Sequence, residues 1–136
     1  MKIRGVIMIL FLLAFALAPV KVNAQGYSAT LISPTAGQVL YAGQQFPIEW
    51  QATIPKVNAG GCEMEIFLSL DGGNTFTYCI TPQLPPTARF FNWTVPNMPT
   101  NTAVLDIRFG CEWYYPEHYA PQPASTFVIA SGAPGQ

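Results

Sequence analysis

The side chains able to make or break bonds are few: seven carboxylates, one histidine (His118) and three cysteines (Cys62, Cys79, Cys111) in 136 residues. Glycoside hydrolysis needs two carboxyl groups facing each other across the scissile bond, one of them with a raised pKa. Glu63 and Glu65 are the nearest pair, but they stand two residues apart on the polar parity of the run CEMEIFLSL, side by side on one wet face. Glu49 occupies the polar parity of its own run in the same way. Acyl transfer through His118 would need a nucleophile, and the chain has no G-x-S-x-G elbow to present one. A zinc site needs more ligands than the one histidine can give, and the cysteines read as engaged elsewhere. The densest polar spacing is SLDGGNTF, with Ser69, Asp71, Gly73, Thr75 and Phe76; a calcium loop would require a D-x-D-x-D-G run that this stretch does not have. The expectation is a protein that is not an enzyme and uses neither metal nor cofactor.

Strands must position these residues. Phe46, Ile48, Trp50, Ala52 and Ile54 share one parity, against Gln45, Glu49, Gln51 and Thr53. Cys62, Met64, Ile66, Leu68 and Leu70 alternate with Glu63, Glu65 and Ser69. Phe76, Tyr78 and Ile80, then Phe91, Trp93 and Val95, then Leu105, Ile107 and Phe109, then Phe127 and Ile129 repeat the pattern. Each is the signature of a half-buried strand. With pieces at 29–33 and 38–41, broken by Pro-Thr-Ala-Gly at 34–37, the strands number seven or eight, and no amphipathic helix is visible. That count and spacing predict an all-β, Ig-like antiparallel two-sheet β-sandwich. The expected strands are 45–54, 62–70, 75–80, 89–95, 103–109 and 125–130 besides the first two.

Ahead of these runs, Lys2 and Arg4 precede an apolar stretch from Val6 to Ala18, and Val22-Asn23-Ala24 supplies a small residue at a cut. This reads as a signal peptide over 1–24, with no membrane span once it is removed. The sandwich then occupies 25–131 and a short flexible tail 132–136. Lys2, Arg4 and Lys21 leave with the leader, so Lys56, Arg89 and Arg108 face all seven carboxylates. A mildly acidic chain with scattered cations has no electrostatic footprint for nucleic acid. The expected location is secreted, extracellular or periplasmic, with association at the cell surface.

The string ISPTAGQVLYAGQQFPIEWQ, then IFLSLDGGNTF, FNWTVPNMP and ASTFVIA resembles a secreted Ig-like module of bacterial surface and secreted proteins. It is also similar to the N-terminal Ig-like domain of Ser/Thr-rich, lipid-anchored fungal cell-wall proteins linked to β-glucan assembly. The resemblance covers nearly all of 29–130 and implies a stalk, adhesin or carbohydrate-associated domain at the cell surface or in a matrix. The octet 69–76 also resembles the Asp-box of sialidases, which lies away from their catalytic residues. Propeller enzymes repeat it on each blade, whereas this chain carries it once. Its expected work is a hairpin turn: Gly72 and Gly73 permit positive φ, Asp71 accepts backbone bonds, and Phe76 folds into the core.

In a sandwich of that type the strand opened by Cys62 and the strand ending before Cys111 are antiparallel neighbours. A Cys62–Cys111 bridge is the first choice, a Cys62–Cys79 bridge the competitor, and either leaves one thiol for pairing between molecules. The bridge would fasten the bases of loops 54–61 and 110–124. The latter, GCEWYYPEHYAPQPA, holds Trp113, Tyr114, Tyr115, His118 and Tyr119 among prolines. Such rigid amphipathic side chains suit recognition of a glycan or an extracellular protein, or else cover the end of the domain. Three readings follow: a non-catalytic extracellular interaction module, a self-associating structural subunit, and, third, a small hydrolase or inhibitor. Asn92-Trp93-Thr94 adds a sequon, with Asn92 on the outward parity.

Overall fold

A computed structural model describes residues 26–56 and 60–132; the expected leader, residues 57–59 and residues 133–136 of the expected tail lie outside it. Period-two alternation becomes strand wherever one face can be buried. Strand β1 spans Ser28–Ser33, β2 Val39–Tyr41, β3 Gln45–Thr53, β4 Cys62–Ser69, β5 Tyr78–Cys79, β6 Phe90–Thr94, β7 Thr100–Cys111, β8 Tyr115–His118 and β9 Phe127–Ala130. One sheet has the order β1-β3-β6 and the other β2-β9-β7-β4-β5, with β8 also on β7. All pairs are antiparallel except β2 with β9. The result is an Ig-like sandwich of nine strands among the described residues, one more than the upper expectation.

The first strand is divided between the sheets. Residues 34–37 carry the chain from β1, on β3, to β2, on β9, and Gly37 makes the turn at φ 74°. Between the layers lie Phe46, Ile48 and Trp50 of β3 and Trp93 of β6, facing Met64, Ile66 and Leu68 of β4, Leu105, Ile107 and Phe109 of β7, and Phe127 and Ile129 of β9. Trp93 meets Phe127 edge-on across the layers, centroids 6.4 Å apart. Each large apolar side chain buried this way contributes about 1.5–3 kcal/mol.

Five local expectations need correction. Residues 75–80 are not a full strand: only Tyr78 and Cys79 pair, with Leu68 and Phe67. Being at the sheet edge with little beyond it, Tyr78 is exposed rather than inward, and Phe76 is half-buried outside the core, its ring beside Gly73. Ser69, on the polar parity, is buried because it serves the turn that follows. Finally, 110–124 is not one loop: it contains the end of β7, all of β8 and a 3-10 turn at Pro123–Ser125.

Candidate functional site

The site grows from β7, the longest strand. One edge pairs with β4 from Ser69↔Val104 to Cys62↔Cys111. The other is shared, with β9 along the start of β7 and β8 along its end. An isolated bridge, Asp106↔Pro121, closes the gap between them. The chain therefore reverses at once after Cys111, and Glu112, Trp113 and Tyr114 form the tip of a hairpin. Pro116 can lie within β8 because an edge strand does not need every N–H for its ladder.

The aromatic residues of this hairpin divide into two groups. Trp113 is 93 % exposed and sits at φ 77°, the one non-glycine residue with positive φ among those described. Tyr119 is 60 % and Tyr114 48 % exposed; the Tyr114 hydroxyl donates to the Gly60 carbonyl and lies 3.5 Å from Cys62 Sγ. Tyr115 turns inward instead. It packs on the core 5.5 Å from Phe109, and His118 stacks on it at 4.4 Å. Tyr27 also stacks on Phe109, at 5.3 Å; its amide donates to the Tyr115 hydroxyl at 3.4 Å and its own hydroxyl donates to the Ile107 carbonyl at 2.8 Å. Burial, and then the Asp106 charge, hold the Tyr27 phenol above its usual range. The His118 Nδ1 lies 2.6 Å from the Pro116 carbonyl, so one ring nitrogen is occupied by its own strand. The base of the tip is fixed by the Cys62–Cys111 disulfide, formed between directly opposed residues.

On the outer face of the same sheet, Arg108 is clamped. Its guanidinium lies 3.8 Å from the Phe67 ring centroid and 4.6 Å from that of Tyr119. Its Nε donates to Asp106 Oδ2 at 2.7 Å, and the other Asp106 oxygen accepts from the Ala120 amide at 2.8 Å. Asp106 is only 2 % exposed, although it stands on the outward parity, because residues 119–121 cross over it. Beside this clamp lies a groove of about 740 Å³. It spans the outer faces of β4 and β7 between residues 83–85, which touch β4 through the Met64↔Leu84 bridge, and residues 116–117 of β8. Glu63, Glu65, Glu112 and Glu117 line it. Gly110 forms part of its floor, where a Cβ would come within 3.1 Å of the Glu117 Cα.

Cys79 is exposed on edge strand β5 and outside the disulfide. Its thiol donates to the Thr81 carbonyl at 3.3 Å, and its pKa is raised, chiefly by burial and further by Glu65 and Glu117. Exposure thus does not make it a reactive thiolate at neutral pH.

The octet forms a closed turn. Ser69 Oγ donates to Asp71 Oδ1 at 2.6 Å and accepts from the Gly73 amide at 2.9 Å. Asp71 accepts from the Thr75 amide at 2.9 Å and the Thr75 hydroxyl at 2.7 Å. These bonds, Ser69 first, pull the Asp71 carboxyl down to about 2. Gly72 and Gly73 hold φ of 73° and 90°, and Asn74 donates to the Asp71 carbonyl at 2.6 Å. The carboxylate is consumed by its own turn.

The structure therefore brings Trp113, Tyr114 and Tyr119 to the surface, withdraws Tyr115 and His118, and sets Ser69–Phe76 apart from them. Sequence reasoning missed the groove and the Arg108 clamp. The signal for the clamp was D-x-R at 106–108 on one parity of a strand, a spacing that places both side chains on the same face. No protein-family model matches the chain, and no curated protein matches it.

Proposed function

We propose that the domain is a non-catalytic extracellular recognition module that engages a glycan or protein partner with the tip of the β7–β8 hairpin. One observation carries the reading: a tryptophan almost wholly in solvent, held in a backbone conformation that favours glycine. Burial gives no reason to keep an indole there, and the backbone gives a reason against it. The support beneath it is rigid, with the disulfide on one side and the Tyr115–Phe109–Tyr27 stack on the other. A preorganised aromatic anchor loses little entropy on binding. The resemblance to secreted surface modules agrees with an extracellular setting, as does the disulfide. The test is an array of glycans and extracellular proteins probed with the mature chain and with Trp113→Ala. Binding that the variant loses is expected; binding that it keeps, or none by either protein, overturns the proposal.

A second reading, self-association into an extracellular assembly, is favoured by Cys79, exposed on a sheet edge. Size exclusion with and without reductant distinguishes it. A covalent dimer that reductant dissolves supports it, and a monomer under both conditions removes it.

A further inference from the structure

We infer that the groove on the outer face of β4 and β7 is a second recognition surface, built to receive an extended lysine- or arginine-bearing segment of a partner protein. This goes beyond the hairpin tip and does not depend on it. Four of the seven carboxylates of the chain, Glu63, Glu65, Glu112 and Glu117, converge on the groove from β4, the hairpin turn and β8. Among the described residues the one cation lining it, Arg108, is already committed to Asp106 at 2.7 Å, with Glu117 3.8 Å away. The field over the groove therefore stays negative. Glu65 registers it: burial, and then Glu63 and Glu117, hold its carboxyl above the ordinary value.

The spread of the carboxylates identifies the kind of cation. Among the described residues no group of three or more His, Cys, Asp or Glu is placed to hold a metal ion. The charges suit a ligand whose own charges are distributed along a chain. An open groove of about 740 Å³ is longer than one ammonium group needs and has room for a stretch of chain. Leu84, Pro85 and Pro116 offer apolar flanks on which the methylene stems of lysine or arginine can lie, with their heads toward the carboxylates. A second copy of the chain is the wrong occupant, because it would bring the same carboxylates face to face.

The test is a ¹⁵N–¹H NMR titration of the oxidised mature chain with hexalysine, with hexaglutamate and spermine as comparisons. Hexalysine is expected to shift the amides of Glu63, Glu65, Gly110 and Glu117, more weakly as salt is raised, and hexaglutamate to shift none. Glu65→Gln and Glu117→Gln should each weaken hexalysine binding about two- to fivefold, as removal of one partly exposed charge pair does. Glu49→Gln, on the other sheet, and Trp113→Ala should leave it unchanged. If Glu65→Gln loses its dispersed spectrum, Glu63→Gln replaces it. Absence of shifts, shifts scattered over the whole surface, or equal weakening by Glu49→Gln overturns the proposal. Loss through Trp113→Ala alone would place the cation at the tip and overturn it too. Spermine binding as tightly as hexalysine would overturn the assignment to a polypeptide.

Discussion

Replacing Trp113 with glycine should leave the domain as stable as before or make it more stable. At φ 77° a residue with a Cβ carries a penalty of about 1–2 kcal/mol that glycine escapes. Against this, glycine gives the unfolded chain extra freedom, about 0.4–1 kcal/mol. The indole is 93 % exposed, so its removal forfeits almost no burial. The balance lies between about zero and 1.5 kcal/mol in favour of Trp113→Gly. For a domain of this size that is a rise in Tm of up to about 7 °C. Trp113→Ala keeps the strained backbone and should stay within about 0.5 kcal/mol of the parent. Tyr115→Ala provides the contrast: it removes a ring packed on Phe109 and should cost about 2–3 kcal/mol. Circular-dichroism melts of oxidised residues 25–136 measure all three. A loss above about 1 kcal/mol for Trp113→Gly would mean the indole packs against the domain, and the recognition argument would fail with it.

Non-reducing peptide mapping should recover Cys62 linked to Cys111 and an alkylatable Cys79; Cys111→Ser should cost about 2–4 kcal/mol, since the bridge closes 49 residues. The Asp71 carboxyl is lowered from 3.8 to about 2 on folding, so its stabilisation is complete above 3.8 and lost as pH falls through about 2. Asp71→Asn should lack that acid-side slope, and melts from pH 2 to 6 that run parallel for both proteins would refute the turn bonding. Asp106→Ala strands Arg108 between two rings and frees the Ala120 amide; a cost of about 3–5 kcal/mol is expected in urea unfolding. A cost under about 1 kcal/mol would show that residues 119–121 do not depend on it.

Legibility in the sequence followed burial on one face. In β3 the alternation is so regular that Phe46, Ile48 and Trp50 are buried and Gln45, Glu49 and Gln51 exposed, as periodicity demands. The disulfide pair was one of two options on parity and strand order, and the β4–β7 register places its members opposite each other. Where a second layer of chain covers the outer face, parity misleads. Asp106 and Ser69 have polar spacing yet are buried, because their partners arrive from residues 108 and 120 in one case and from the turn in the other. Strand β8 was hidden by its composition, since YPEH and the prolines after it resemble loop, and only pairing to β7 makes it a strand. The tip residues were legible as aromatic but not as exposed or packed. Trp113 and Tyr115 differ in hairpin position, not in type. The acidic groove joins strands distant in sequence and left no local trace.

The division of the first strand also has a mechanical consequence. Strand β2 runs parallel to β9, joined by the ladder from Val39↔Val128 to Tyr41↔Ala130 and flanked by bonds from Gly37 to Thr126 and from Ala42 to Ala130. Tension applied to the chain before β2 and after β9 pulls these two strands in opposite directions along their length. The hydrogen bonds lie across that pull and share the load, so they must give way together rather than unzip one by one. Tension across these two strands is thus borne by a three-residue strand, and resistance to extension is set there, at the opposite end of the β7–β9 sheet from the β7–β8 hairpin.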